Sequence, residues 1–209
     1  MSLRNRITRL VLSLTASPIL GSIAAQAAEA DQSRRVSADV IAAIKQNDIM
    51  RFTACESLGG LNQSCVRIAQ ELEAISANCA STAWCLWNHL CTFHLFCGLL
   101  GPDNQTFLAG VTQRRDWVCF PAGASTAVRG EIDGDTVKIK GQAAFGSGAR
   151  YAEWAGVAFV IDDKPQFSLV DLRQHGVNIQ DDWHAMSLRA SATDTVIYDG
   201  AGIPLERVV

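Results

Sequence analysis

The spacing of apolar residues changes near Arg114, and this one change limits the folds open to the chain. Before it, the spacing is helical. Ser37 can cap a helix reaching Asn47, with Val40, Ile41 and Ile44 as its apolar positions. Gly59-Gly60 interrupts, and Gln63 to Asn78 resumes with Val66, Ile68, Ala69, Leu72 and Ile75. Ser81 can cap a longer stretch to Leu100 that is apolar nearly all round, the pattern of a helix buried in a protein core. Gly101-Pro102 ends it. After Arg114 the pattern alternates. Asp133-Gly134 stands between Val128–Ile132 and Val137–Ile139 as a hairpin requires. Val157–Ile161 and Phe167–Leu172 are joined by the polar turn Asp162-Asp163-Lys164-Pro165, and Thr193–Tyr198 is a further strand. Helices first and strands second predict an α+β chain, with a helical domain over 1–113 and a strand-built domain over 114–209.

The bulk properties narrow the partners. The formal net charge is -3 and no basic stripe appears, so nothing points to nucleic acid. No uninterrupted apolar run reaches the ~18 residues of a membrane span. Arg4, Arg6 and Arg9 precede an apolar run from Leu10 to Ala24, and Ala25-Gln26-Ala27 has the form of a cleavage site for export. Against that, Pro18 interrupts the run, and Ile23 to Arg34 continues as an amphipathic helix. The expectation is a retained helix and a cytoplasmic protein, with export as the alternative.

The seven cysteines are an odd number in a chain that is not small, which argues against a disulfide framework. Cys79, Cys85, Cys91 and Cys97 recur every sixth residue, a step of ~240° net on a helix, so they spiral round the axis. That spacing is not the short gap of paired zinc ligands, and the thiols read as core packing rather than a metal site. His89 and His94, five residues apart, do not share a helix face either.

Four segments carry a resemblance. They are Gly59-Gly60-Leu61; Ser81-Thr82-Ala83-Trp84 after Ser76-Ala77-Asn78; Gly141 to Trp154, GQAAFGSGARYAEW; and Trp183 to Pro204, WHAMSLRASATDTVIYDGAGIP. In this order and spacing the chain resembles the acyl-CoA dehydrogenase superfamily, and more closely its reduced-flavin monooxygenase branch, which includes hydroxyphenylacetate hydroxylases, dibenzothiophene monooxygenase and indole-acetate monooxygenases. Dehydrogenases proper have an acidic loop where this chain has Cys119 to Ser125 without the acid. The chain also departs from the branch. Ala143 stands where many relatives have Trp, Ser187, Ala190 and Ala192 stand at loop glycines, and Thr195 stands at an aspartate.

The resemblance implies an N-terminal helical domain, a middle β-barrel over 114–209, and a C-terminal four-helix bundle beyond Val209. It assigns the catalytic base and the homo-oligomer contact to that bundle. It implies a reduced flavin, FAD or FMN, delivered by a flavin reductase, and hydroxylation of a small aromatic or heteroaromatic substrate with O2. Cys119, Phe120, Ala122, Ala124 and Ser125 would meet the flavin, with Phe145 and Ser147 on the next hairpin. Ser147 is the implied catalytic residue, a donor near the flavin N5 edge where negative charge develops on oxygen. Read without the resemblance, it is a turn hydroxyl between two glycines.

Trp84, His89 and Arg189 are the implied substrate contacts. Residue by residue, Trp84 is as easily a core side chain, and Trp87 reads as core rather than cofactor-stacking. His89 reads as a core histidine bonded to a backbone carbonyl. Arg189 binds an anion or holds its loop by an ion pair, and His184 reads as surface. Two further functions stand beside the monooxygenase: an acyl-CoA dehydrogenase-like enzyme, and a non-catalytic remnant or exported binding protein.

Overall fold

A computed structural model describes residues 13–123 and 128–209. Arg4, Arg6, Arg9, Ala124 and Ser125 lie outside the described residues. Among those described, five α-helices precede seven strands. The helices are α1 (Ser17–Ser33), α2 (Ala38–Gln46), α3 (Cys65–Ser76), α4 (Ala80–Leu100) and α5 (Gln105–Arg114). The strands are β1 (Val118–Cys119), β2 (Val128–Asp133), β3 (Thr136–Gly146), β4 (Trp154–Ile161), β5 (Lys164–Asp171), β6 (Val177–Ile179) and β7 (Asp194–Pro204). The change of element type falls where the apolar period changes.

Local chemistry sets the boundaries. The side chains of Ser37 and Ser64 accept from Val40 N and Arg67 N, capping α2 and α3. Pro18 does not break the first helix. It occupies the first turn, where a missing N–H costs nothing, so α1 starts before the expected Ile23. Ser81 is not a cap either: α4 begins at Ala80 after Cys79, and no side chain caps it. The β2–β3 turn is Gly134-Asp135, one residue later than expected, with Gly134 at φ 61. The turn after β4 tightens to Asp162-Asp163, both at positive φ, which leaves Lys164 and Pro165 in the strand. Helix α5 and the short strands β1 and β6 have too little apolar periodicity to be read from sequence.

The strands form one mixed, curled sheet in the order β1-β4-β2-β3-β7-β6, with β5 on β4. The curl brings the end of the chain back to β5, where Phe167 N and Val209 N each donate to the other residue's carbonyl at 2.7 and 3.0 Å. Val137, Ile139, Val157, Phe159, Val196 and Tyr198 fill its inner face. Helix α1 belongs to the helical core through Ile19, Ile23 and Ala30. Its start is held by Glu71, a fully buried carboxylate that accepts from Thr15 N and Ala16 N at 2.7 and 2.9 Å and pairs with Arg67.

Helix α4 is the spine between helices and sheet. Cys85, Leu86, His89, Leu90, Phe93, Phe96 and Leu100 are buried, while Trp84, Trp87, Cys91, Leu95 and Leu99 form an exposed stripe. A helix apolar all round was expected to be enclosed, and this one is covered on one side. The four cysteines fan round the axis as their spacing requires, from buried Cys85 to exposed Cys91.

Candidate active site

The exposed stripe of α4 is one wall of an apolar cavity of about 470 Å³. The other wall comes from Phe120 and Ala122 after β1, Phe145 and Ser147 at the end of β3, and Trp183, Leu188, Ser191 and Thr193 before β7. Trp84 and Trp87, each 41% exposed, stack at 4.9 Å with a 31° tilt. Neither is the core residue that its size suggested.

The strand wall is built on irregular backbone. The β3–β7 register shifts between Ala143 and Gly146, and within this bulge Phe145 adopts φ 65. A phenylalanine in the left-handed region is an outlier that the surroundings must hold in place. The bulge leaves Phe145 59% exposed on the cavity. Leu188 and Ala192 are also left-handed, at φ 51 and 43. Ala192 stands where relatives are expected to have glycine, the residue such a conformation favours.

Four polar side chains link the two walls. Trp84 Nε1 donates to Ser147 Oγ at 2.9 Å, Ser147 Oγ lies 2.9 Å from Thr193 Oγ1, and Thr193 Oγ1 lies 2.7 Å from Ser191 Oγ. Ser147 is buried as a residue yet reaches the cavity. The loop carrying Trp183 is pinned by Asp194, a buried carboxylate that accepts from Asp182 N and Trp183 N at 3.2 and 3.1 Å and from Arg150 Nε. The bond to Asp194 raises the Arg150 guanidinium above its usual range. On the helix wall, Asn88 Oδ1 accepts from Phe120 N at 3.1 Å and ties α4 to the loop after β1.

The expected site residues separate into three groups. Trp84, Phe120, Ala122, Phe145 and Ser147 meet at the cavity. Cys119 is fully buried in the sheet core, where burial pushes its thiol up to about 12. His89 lies behind α4, not on its cavity side. Its Nδ1 accepts from Val118 N at 3.0 Å, so the Nε2 proton donates to Met50 O at 3.1 Å. Burial lowers its pKa to about 4 and keeps it neutral. Arg189 turns to α1, where Nε donates to Asp31 O at 3.0 Å, so it holds the loop. His184 is exposed and touches Arg34. Sequence reasoning took Trp87 for a core residue and passed over Asn88, Ser191 and Thr193. Trp87 and Asn88 could have been found from the spacing of Trp84, Trp87, Cys91 and Leu95 along one helix face.

The cavity suits a flavin ring. It offers aromatic and aliphatic surfaces for the ring faces and a cluster of hydroxyls for an edge, within the usual volume of cofactor sites. Helices followed by a curled mixed sheet, with such a cavity between them, are part of an acyl-CoA dehydrogenase-like fold. The chain superposes on the indole-bound dibenzothiophene monooxygenase TdsC of Paenibacillus sp. with a TM-score of 0.84 at 16% identity, covering 93% of this chain and 52% of that one.

In sequence, the chain is 24% identical over 189 residues to the oxygenase component of the FADH(2)-dependent resorcinol hydroxylase of Rhizobium sp., and 27% identical over 199 residues to that of p-hydroxyphenylacetate 3-hydroxylase of Acinetobacter baumannii. These matches cover 88% and 91% of this chain and 45% of each relative, so the chain spans just under half their length. No family model matches the chain.

Proposed function

We propose that the chain is part of the oxygenase component of a two-component flavin-dependent monooxygenase. It takes reduced FAD or FMN from a separate flavin reductase and hydroxylates a small aromatic or heteroaromatic substrate with O2. The observation that carries this reading is the bulge at the end of β3. It holds Phe145 in a strained conformation against the cavity and sets the Ser147 hydroxyl opposite the tryptophans of α4. The relatives support it by their names, an FADH(2)-dependent hydroxylase among them, and TdsC has been crystallised with FMN and indole.

When bound, reduced flavin supplies the electrons that activate O2. The chain's own residues do the rest. Phe120, Ala122 and Phe145 support the ring. Ser147 is the catalytic donor. With one lone pair taken by Trp84 Nε1, its proton is free to point to Thr193 or into the cavity, where it donates to an oxygen acquiring negative charge.

The helical domain over 1–113 and the barrel over 114–209 each supply one wall. A helical domain corresponding to the rest of the relatives' length covers the exposed stripe of α4, supplies the base and makes the homo-oligomer contact. Among the described residues no helix is long and apolar enough to cross a membrane. We infer a cytoplasmic location, because cleavage near Ala28 would remove Ile19 and Ile23 from the core and leave Glu71 with Arg67 as its one partner among the described residues.

The test is oxygen uptake with a flavin reductase, an aromatic substrate and the complementary helical domain. Substrate-dependent hydroxylation is expected. Bleaching of bound flavin by an acyl-CoA, without oxygen insertion, would replace this reading with dehydrogenation.

A further inference from the structure

The helix wall differs from the strand wall in its polar groups. Asn88 is the one residue on it with an amide. Its Oδ1 is committed to Phe120 N–H, which fixes the orientation of the group and leaves Nδ2 with two donors that no described residue accepts. Beside it, Trp87 offers an exposed indole face, backed by Trp84, whose own N–H is tied to Ser147. No Asp, Glu, Lys, Arg or His is among the described residues that line the cavity, and the sequence at 124–127 carries no charged side chain. The arginines on nearby loops are engaged elsewhere: Arg150 with Asp194, Arg189 with Asp31, Arg34 with Asp181. A carboxylate brought into this cavity would lose water and gain no counter-ion, which is costly, whereas a neutral acceptor would gain the Asn88 donors.

We propose that the helix wall is a subsite for an uncharged planar aromatic molecule bearing a hydrogen-bond acceptor, stacked on Trp87 and held at its acceptor by Asn88 Nδ2, and that it discriminates against the matching carboxylate. This specifies the substrate class of the monooxygenase reading and rests on it for the word substrate.

Benzamide and benzoate are nearly the same shape and differ in charge, so titrating the 209-residue protein with each at neutral pH, followed by tryptophan fluorescence and NMR, isolates the claim. Benzamide should bind at least tenfold more tightly. Asn88→Asp keeps the acceptor for Phe120 N–H and removes both donors, so benzamide should weaken fivefold or more. Trp87→Ala, at a position 41% exposed, should weaken benzamide binding to a similar extent while the far-UV circular dichroism stays unchanged. Benzoate binding as tightly as benzamide, no detectable binding of either, or unchanged benzamide affinity in both variants would overturn the proposal. Failure of the monooxygenase reading looks different: the benzamide preference would survive, and the completed protein would show no flavin-dependent hydroxylation.

Discussion

The two walls of the cavity face the same space and are made in opposite ways. The helix wall is regular: Trp84, Trp87, Asn88, Cys91 and Leu95 project from consecutive turns of α4, and no residue of that helix has a left-handed backbone. It is locked from behind by His89, which joins Val118 N to Met50 O. The strand wall is irregular, with Phe145, Leu188 and Ala192 all at positive φ, and it is locked by the buried Asp194 carboxylate. One wall positions its side chains by periodicity. The other positions them by strain held in place by hydrogen bonds, which is where a site that must place a hydroxyl closely is expected to depart from local rules.

Removing the locks should show the difference most strongly. Asp194→Ala leaves two loop N–H groups and Arg150 without their acceptor and should cost roughly 3–4 kcal/mol in urea unfolding. It should also increase hydrogen exchange at 182–188. A loss below ~1 kcal/mol would mean that the strand wall is held by something else.

The matching change on the helix wall, His89→Leu, orphans one donor and one acceptor and should cost roughly 2–4 kcal/mol. It also has a pH signature. The native imidazole stays neutral down to about 4, while in the unfolded chain it takes up a proton near 6.5. Its contribution is therefore complete above pH 6.5 and is lost as the pH falls towards 4, by roughly 3 kcal/mol in all. His89→Leu should flatten the pH dependence of stability across that window, and an unchanged slope would place the titrating group elsewhere.

Smaller effects test the strain itself. Phe145→Gly relieves a left-handed backbone and removes an exposed ring, so it should raise stability by up to about 1 kcal/mol while weakening flavin binding. Stability and binding falling together would show that Phe145 is not strained for function. Trp87→Ala should cost no more than about 2 kcal/mol, because its side chain is 41% exposed, yet reduce aromatic ligand affinity several-fold.

The order of elements was legible because the apolar period changes from helical to alternating beside Arg114. Ser37 was legible as a cap from its chemistry alone. Ser81 misled because a cap signal one residue inside a helix looks like one at its end. α4 misled in a more informative way. An all-round apolar pattern does not say which faces are covered, and the described residues leave Trp84, Trp87, Cys91, Leu95 and Leu99 exposed. Ser147 and Phe145 were found through resemblance, since no periodicity marks a bulge. The Asp194 lock could not be read in advance, because a lone aspartate beside a strand gives no sign that it will be buried against the amides of residues 182 and 183.

The central claim is that the Ser147 hydroxyl, set by the bulge and oriented by Trp84 and Thr193, serves oxygen transfer rather than the turn. Ser147→Ala in the complete enzyme, with reductase and aromatic substrate, tests it when hydroxylated product and hydrogen peroxide are measured side by side. Loss of one such donor costs on the order of 3 kcal/mol in comparable sites, so product should fall by about a hundredfold while flavin stays bound and its electrons appear as hydrogen peroxide. Unchanged product yield with no rise in peroxide would contradict the account and leave Ser147 a turn residue.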